Sequence, residues 1–248
     1  MLEGRIALVT GASRGIGAAT AKLLAANGAA VAVNFRENEG AARAVVEGIL
    51  GAGGKAMAVR ADVRDAAQVQ AMVEAVGRKL GPIDVLVSNA SIGFPVKPFT
   101  EFRWEEFAAK LDGELQATFH PCQAVLPGMI ARRSGCIVAI SSGLARRSGP
   151  GFSAHSTAKS GLDGLMRSLA LELGPHGIRV NVVAPGLTDT DATAHLPEQA
   201  RQMTVRTTPM GRIGEPDDVA GAVLMLASDH ARFVTGAWIS VSGGALMP

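Results

Sequence analysis

The chain has 248 residues, of which 48% are hydrophobic and 19% are charged, and its net charge is +2 with both signs interspersed. This composition suits one large α/β domain and excludes a fibrous or disordered chain, while the balanced charge offers no basic stripe to a nucleic acid. No apolar run approaches the ~20 residues that span a bilayer, and the short start Met1 to Arg5 leaves no room for a signal peptide, so we expect a cytoplasmic protein.

Short, nearly all-apolar runs alternate along the chain with longer amphipathic segments. The apolar runs predict strands at Arg5–Thr10, Ala30–Asn34, Lys55–Arg60, Val85–Ser88, Gly135–Ser141, Arg179–Ala184 and Ala237–Val241. The amphipathic segments predict helices at Gly15–Asn27, Glu39–Leu50, Ala66–Leu80, Trp104–Arg132, Ser153–Gly174 and Asp217–Ala227. Strands that are apolar on both faces are typical of a parallel sheet covered by helices. We therefore predict an α/β fold, a single doubly wound Rossmann-type parallel sheet with helices on both faces, in one domain over residues 1–248.

Residues 187–214 form the longest weakly patterned stretch of the chain. A loop of this length is more often functional than idle, so we expect a substrate lid here. His195 lies within this stretch, where contact with a substrate is one interpretation and a surface loop is the simpler one.

The cysteines and histidines give no sign of a metal site. Cys122 and Cys136 have neither metal-ligand nor disulfide spacing, and they are expected to be buried free thiols. His120 and His195 also lack metal-ligand spacing, so no metal is expected.

The first predicted strand runs into a glycine-rich turn with the sequence Gly11-Ala12-Ser13-Arg14-Gly15-Ile16-Gly17. Its glycines allow a tight turn and a close backbone approach. The helix that follows directs free N–H groups and its positive dipole end toward the turn, which suits a pyrophosphate. Because the turn joins the first strand to the first helix of an alternating chain, it predicts dinucleotide binding.

The second predicted strand ends in Val33-Asn34-Phe35-Arg36. An acidic residue there would accept a hydrogen bond from the ribose 2′-hydroxyl of NAD, and positions 34 to 36 carry none. Arg36 and Arg14 can instead flank a 2′-phosphate with charge-assisted hydrogen bonds. The pattern therefore favours NADP(H) over NAD(H).

Motifs spread over nearly the whole chain resemble those of the short-chain dehydrogenase/reductase family. In chain order they are Thr10–Gly17, Ala61-Asp62-Val63, Ser88-Asn89-Ala90-Ser91, Ser141-Ser142, Lys159, Pro185-Gly186 and Val241-Ser242-Gly243-Gly244. The most similar subgroup is the 3-oxoacyl carrier-protein reductases and related ketoreductases. The resemblance implies an NADP(H)-dependent oxidoreductase that acts on a small-molecule substrate. It also implies a homotetramer built through the two long helices and the C-terminal strand region.

The resemblance assigns cofactor contacts residue by residue. Asp62 and Val63 would flank the adenine. Asn89 and Ala90 would line the ribose and the floor of the nicotinamide site, and Thr190 would close over the phosphates. The complete predicted set is Gly11, Ser13, Arg14, Gly15, Ile16, Gly17, Phe35, Arg36, Asp62, Val63, Asn89, Ala90, Ser91, Lys159, Pro185, Gly186, Thr188 and Thr190.

The residues expected to be catalytic depart from the family pattern. In the family, a tyrosine donates a proton to the substrate carbonyl, a lysine four residues on supports it, a serine polarises the carbonyl and an asparagine supports a water relay. Lys159 and Ser142 occupy the lysine and serine positions. The chain contains no tyrosine, and the donor position holds His155. The asparagine position falls on Glu114, and Ser91 stands where the family usually has glycine.

Three interpretations of His155 follow. In the first, its imidazole replaces the tyrosine as acid and base, with Glu114 orienting it or raising its pKa and Lys159 lowering that pKa. In the second, hydride addition to an activated alkene or iminium needs no strong proton donor. In the third, the fold binds a cofactor without redox chemistry, as a lyase, an isomerase or cyclase, or a regulatory partner. We expect an NADPH-dependent reductase of a ketone, enone or imine, with the non-redox protein as the alternative.

Overall fold

A computed structural model of the chain describes residues 1–194 and 196–247. The strands are β1 (Ile6–Val9), β2 (Ala30–Phe35), β3 (Lys55–Arg60), β4 (Val85–Ser88), β5 (Gly135–Ile140), β6 (Ile178–Pro185) and β7 (Trp238–Val241). The helices are α1 (Gly15–Ala26), α2 (Glu39–Gly51), α3 (Ala66–Lys79), α4 (Trp104–Arg132), α5 (Ser153–Leu173), α6 (Glu198–Thr207) and α7 (Pro216–Ala227). Strands and helices alternate along the chain as predicted, with α6 as an addition.

Within the described residues, one sheet of seven parallel strands has the order β3-β2-β1-β4-β5-β6-β7. The chain moves outward from β1 to β3 and then returns to place β4 on the other side of β1. This reversal confirms the predicted doubly wound fold, and it opens a crevice at the carboxyl ends of β1 and β4.

Two hydrophobic cores cover the two faces of the sheet. Ala7 and Val9 of β1 point into the core beneath α1, α2 and α7, whereas Leu8 points into the core beneath α3, α4 and α5. Because successive side chains of a strand alternate between faces, a strand with helices on both sides must be apolar throughout. This explains the uninterrupted apolar runs of the sequence.

The predicted lid region, residues 187–214, contains a helix that the sequence pattern did not reveal. No residue of α6, which the structure describes completely, is buried. Only Ala200, Met203 and Val205 among its ten residues are apolar, so the helix is too polar overall to stand out in the sequence. His195, which the sequence placed in this region, lies outside the described residues.

The remaining simple expectations concern thiols, metals and membranes. Cys122 and Cys136 are buried and free, as predicted. Burial raises the pKa of the Cys122 thiol to about 12 and that of Cys136 to about 11, so neither is a nucleophile at neutral pH. The described residues include no group of three His, Cys, Asp or Glu side chains suited to a metal. They also include no helix with the length and apolar character needed to cross a membrane.

Candidate active site

The predicted site residues gather at the carboxyl ends of β1, β4, β5 and β6, which are neighbouring strands. The loops that leave these strands carry the glycine-rich turn 11–17 and the segments 88–91, 141–142 and 185–190. Ligands of doubly wound sheets bind at this edge, where the strand order reverses. The fold therefore brings residues that are far apart in sequence to one crevice.

The glycine-rich turn approaches its neighbours too closely for side chains. Gly11 and Gly15 have φ angles of 60° and 54°, a left-handed conformation that favours glycine. A Cβ atom on Gly17 would lie 2.5 Å from the Asn89 Nδ2 atom and 2.6 Å from the Gly11 carbonyl oxygen. Helix α1 begins at Gly15 with no side-chain cap from the described residues and no acidic residue in its first turn. Its free N–H groups and positive end fit a diphosphate.

The flanking side chains of this turn, Ser13 and Ile16, are half-buried. Ile16 packs against the core beneath α1. Its side chain therefore anchors the turn.

Thr10 and Asn89 tie the glycine-rich turn to the end of β4. The Asn89 Nδ2 atom donates to the carbonyl oxygens of Thr10, at 2.9 Å, and Gly11, at 3.1 Å. The Thr10 hydroxyl oxygen accepts from the backbone N–H groups of Asn89 and Ala90, at 2.9 and 3.1 Å. Asn89 thus braces the turn, and Thr10 is a supporting residue that the motif alone did not reveal.

The end of β2 carries one basic residue, Arg36, and no acidic residue at positions 34 to 36. The Asn34 side chain is buried, and its Oδ1 atom accepts from the Gly11 N–H at 3.1 Å. The Phe35 side chain packs in the hydrophobic core, so only its backbone is left for a ligand. The Arg36 side chain is 48% exposed and pairs with Glu37 at 2.6 Å.

The residues predicted to flank an adenine follow β3. Asp62 forms an ion pair with Arg64 at 2.5 Å. The hydrogen bonds from Arg64 lower the pKa of Asp62 to about 2, so this group is a carboxylate at neutral pH. Val63 is buried beside it in the core beneath α3.

The segment after β6 lies against the glycine-rich turn. A Cβ atom on Gly15 would lie 3.4 Å from the Thr190 Cγ2 atom. The Arg14 guanidinium is 3.8 Å from the Asp191 carboxylate. Thr188 is buried, and its hydroxyl donates to the carbonyl oxygen of Gly186, which follows Pro185 at the end of β6, at 3.2 Å. Thr190 therefore lies directly against the glycine-rich turn.

Glu114 lies between two buried lysines, Lys110 of α4 and Lys159 of α5. The Lys110 Nζ atom is 2.5 Å from Glu114 Oε2, and the Lys159 Nζ atom is 2.7 Å from Glu114 Oε1. Each of the three side chains is at most 4% exposed. The Lys159 Nζ atom also donates to the Ile140 carbonyl oxygen at 2.6 Å, which fixes it at the end of β5. We call Lys110, Glu114 and Lys159 the lysine–glutamate cluster.

Glu114 also holds the segment after β4. Its Oε2 atom accepts from the Ser91 hydroxyl at 3.0 Å and from the Ile92 N–H at 3.1 Å. Burial by itself would raise the pKa of Glu114, but the charges of Lys159 and Lys110 outweigh burial and lower it to about 2. The two unusual residues Glu114 and Ser91 are therefore joined, and Glu114 is committed to these partners rather than to orienting His155.

His155 lies in the first turn of α5, stacked on Phe94. The two ring centroids are 4.5 Å apart and the interplanar angle is 18°. The His155 Nδ1 atom is buried and has no hydrogen-bond partner among the described residues, which leaves Nε2 as the nitrogen available to a ligand. Burial, reinforced by the charges of Lys110 and Lys159, lowers the pKa of His155 to about 4. At neutral pH the imidazole is uncharged, contrary to what a cationic proton donor requires.

Ser142 follows β5 and caps the short 3₁₀ turn Gly143–Ala145. Its hydroxyl oxygen accepts from the Leu144 N–H at 3.2 Å. This bond uses a lone pair of the oxygen, so the hydroxyl proton is free to be donated to a substrate.

Besides the supporting role of Thr10, sequence reasoning did not reveal Lys110 and Phe94, two further residues of this site. The Lys110 Nζ atom lies 4.9 Å from the centroid of the Phe94 ring, so contacts run from Glu114 through Lys110 and Phe94 to His155. The available signal was the i, i+4 spacing of Lys110 and Glu114, which brings opposite charges together on a helix. That spacing is also common on solvated helix faces, so it does not by itself indicate a buried pair.

The fold defines an α/β protein with a doubly wound, Rossmann-like parallel sheet, and comparisons with known proteins refine that class. A family model described as enoyl-(acyl carrier protein) reductase matches residues 11–245. An uncharacterized oxidoreductase of Methylorubrum extorquens is 43% identical over 246 residues, which cover 98% of each chain. A 3-oxoacyl-[acyl-carrier-protein] reductase of Staphylococcus aureus is 40% identical over 243 residues, covering 97% of this chain and 98% of that protein.

A solved structure agrees with these relatives. The crystal structure of a 3-oxoacyl-[acyl-carrier protein] reductase from Brucella melitensis superposes with a TM-score of 0.93 at 33% identity, covering 100% of this chain and 93% of that chain. The chain therefore belongs to the short-chain dehydrogenase/reductase family, a family of oxidoreductases, as its motifs predict.

Proposed function

We propose that the protein is an NADPH-dependent reductase that transfers hydride to a conjugated enone or an imine, with His155 as a neutral hydrogen-bond donor. The observation that carries this proposal is the environment of His155. Its ring is packed on Phe94, its Nδ1 atom has no partner among the described residues, and its pKa is about 4. Reduction of a simple ketone forms an alkoxide that needs a positioned acid, and a neutral imidazole is a poor one.

The glycine-rich turn and its basic neighbours support NADPH as the cofactor. The free end of α1 and the close backbone approach at Gly17 fit a diphosphate. The Arg36 and Arg14 side chains are 48% and 69% exposed, and each can exchange its present carboxylate partner for a 2′-phosphate. When bound, NADPH supplies the hydride.

The polar groups of the site then have separate tasks. When an enone accepts hydride at its β-carbon, negative charge develops on the carbonyl oxygen. The Ser142 hydroxyl and the His155 Nε2–H group donate hydrogen bonds to that oxygen, and Lys159 contributes positive charge. A neutral imidazole can stabilise such an oxygen without giving up its proton. The α-carbon takes its proton from water. An iminium acceptor becomes a neutral amine and needs no proton after the hydride arrives.

A non-redox protein that binds the cofactor without turnover is the second candidate. The lack of the tyrosine acid at position 155, where the imidazole is neutral, favours it over an ordinary ketone reductase. The two candidates are separated by titrating the protein with NADPH and then following the nicotinamide absorbance. The substrates are a cyclic enone, a cyclic imine and the matching saturated ketone. Oxidation of NADPH with the enone or imine supports the reductase, whereas binding without turnover of any of the three rejects it.

The variant His155→Tyr gives the complementary result. A phenol at position 155 restores the proton donor of the family pattern, so the variant is expected to gain activity on the saturated ketone. A folded variant that binds NADPH but does not reduce the saturated ketone would show that ketone reduction is not limited by the missing proton donor at position 155.

We further propose that the protein is a homotetramer assembled through α4, α5 and the C-terminal strand region. Large apolar side chains on these helices support it, because Phe119 on α4 is 45% exposed and Leu171 on α5 is 82% exposed. Contiguous patches of exposed apolar groups are typical of surfaces that pack against another chain.

A further inference from the structure

Lys110 is a buried lysine that is held by the protein itself. Its side chain is 1% exposed. Its Nζ atom lies 2.5 Å from Glu114 Oε2, 2.6 Å from the Ile92 carbonyl oxygen and 3.4 Å from the Ser91 hydroxyl. These three contacts engage all the donors of an ammonium group. Lys110 is thus fixed away from any ligand, and it can affect a reaction only through its neighbours.

The segment that Lys110 holds carries the ring against which His155 packs. Lys110 and Glu114 both bind the backbone of Ile92, one at its carbonyl oxygen and the other at its N–H. Two residues further on, the Phe94 ring lies 4.9 Å from the Lys110 Nζ atom, a distance at which an ammonium group is attracted to an aromatic ring. The imidazole of His155 stacks on the same ring. The position of the stacking surface therefore depends on Lys110.

The lysine–glutamate cluster also carries an excess of positive charge. Two ammonium groups share one carboxylate, so Glu114 compensates only one of them. In the described part of the chain, the charged groups that act on His155 are Lys110 and Glu114 from α4 and Lys159 from its own helix. A nearby cation in a poorly solvated site opposes the protonation of an imidazole.

We propose that Lys110 is a positioning residue that holds Phe94 against His155 and, with Lys159, adds to the effect of burial in keeping that imidazole neutral, so that the site selects hydride acceptors that need no proton from the protein. The selectivity for acceptors rests on the proposed reductase function. The effect of Lys110 on His155 is a property of the protein without substrate, and it can be tested separately.

The test is an NMR titration of the histidine ring signals in the free protein. The spectrum of His155→Gln identifies the His155 signal among those of the other histidines. In the wild-type protein that signal should titrate near pH 4. In Lys110→Met the removal of a cation should raise the pKa of His155 by roughly one unit or more. An unchanged pKa in the folded Lys110→Met protein would overturn the proposal.

A matched control is Lys97→Met. The Lys97 Nζ atom lies 2.6 Å from Glu106 Oε2 and 5.1 Å from the Phe102 ring centroid, which repeats the contacts of Lys110 outside the lysine–glutamate cluster. Loss of this more exposed and better screened lysine should move the pKa of His155 by less than ~0.3 unit. A rise equal to that of Lys110→Met would show that general loosening or net charge is responsible, and would refute the proposal.

A second variant covers the case in which Lys110→Met does not fold. Lys110→Gln removes the charge and keeps a donor for the Ile92 carbonyl oxygen and Glu114, so it should fold and again raise the pKa of His155. In turnover it should raise the ratio of ketone to enone reduction by about tenfold, because a protonated imidazole becomes available as an acid. If the wild-type protein reduces nothing, the proposed function fails, and the titration alone decides the role of Lys110.

Discussion

At the scale of single residues, the chemistry of His155 is set by its surroundings more than by the imidazole itself. Its ring has an aromatic neighbour on one side, no partner for Nδ1 among the described residues, and two lysines nearby. A histidine that acts as acid and base usually has a third group that orients it and stabilises its cation. Glu114 had been the expected candidate, but its oxygens bind Lys110, Lys159 and the segment after β4.

The buried imidazole should make the protein less stable in mild acid. Its pKa is about 4 in the folded protein against the usual 6.5, so between these values the unfolded chain binds a proton that the folded chain does not. The contribution of the neutral imidazole to the free energy of unfolding therefore has its full value above pH 6.5 and is lost as the pH falls toward 4. Between pH 7 and 5, the free energy of unfolding in urea should fall by about 2 kcal/mol more for the wild-type protein than for His155→Gln. An equal fall in the free energy of unfolding for the wild-type protein and for His155→Gln would mean that the imidazole is well solvated.

Arg36 should determine the preference for the phosphorylated cofactor. Arg36→Ala removes a charge-assisted hydrogen bond to a 2′-phosphate, so KM for NADPH should rise about tenfold while KM for NADH stays the same. Arg43→Ala is the control, because Arg43 is also exposed and pairs with Glu39 on α2. Steady-state kinetics with both cofactors measures the effect. A parallel rise for NADPH and NADH, or an equal effect of Arg43→Ala, would contradict this role.

At the scale of elements, the sequence predicted well the strands and helices whose residues are buried. The strand β4 and the helix α4 have the predicted bounds, and β2 and β5 differ from prediction by one residue. Their apolar patterns are strong because both faces of the sheet and one face of α4 are buried. Helix α6 was missed because none of its residues, all of them described, is buried. Its three apolar residues give only a weak signal in a mostly polar segment.

In the candidate site, too, some features could be predicted from the sequence and others could not. The family resemblance assigns the glycine-rich turn, Ser142, His155 and Lys159 to one site, and the fold brings them to one edge of the sheet. The resemblance did not show that Lys110 is buried with Glu114, or that Phe94 stacks on His155, because both depend on how α4 packs against the loop after β4. Contacts between side chains of different elements arise from tertiary packing, and the spacing of residues along the chain does not predict them.

The junction between β1 and α1 should depend on the absence of a side chain at Gly17. Gly17→Ala places a methyl group 2.5 Å from the Asn89 Nδ2 atom, so it should cost about 1 to 3 kcal/mol in the free energy of unfolding and weaken NADPH binding. Gly48→Ala in α2 is the control: no described atom lies within 4 Å of its added Cβ, and it should stabilise the helix by up to ~1 kcal/mol. Urea unfolding of both variants measures these changes. A Gly17→Ala protein as stable as Gly48→Ala would refute the close approach.

At the scale of the whole molecule, the exposed apolar groups on the long helices predict self-association. Light scattering of the wild-type protein should give four times the mass of the chain. Leu171→Glu places a charge on α5 where 82% of the leucine is exposed, and should reduce that mass if this face is an interface. Leu50→Glu on α2, where the leucine is 51% exposed, should leave the tetramer intact. A wild-type monomer would disprove the assembly.

The most direct test of the proposed function is to follow the hydride from the cofactor to the product. NADPH carrying deuterium at the transferred position is incubated with a cyclic enone, and the product is examined by mass spectrometry and NMR, for the wild-type protein and for His155→Ala. We predict one deuterium at the β-carbon in both cases, with kcat/KM lowered by no more than about tenfold in His155→Ala, the cost of one lost hydrogen bond. An unlabelled product, or a loss of the ~10²-fold or more that removal of a general acid causes, would contradict hydride transfer without a proton from His155.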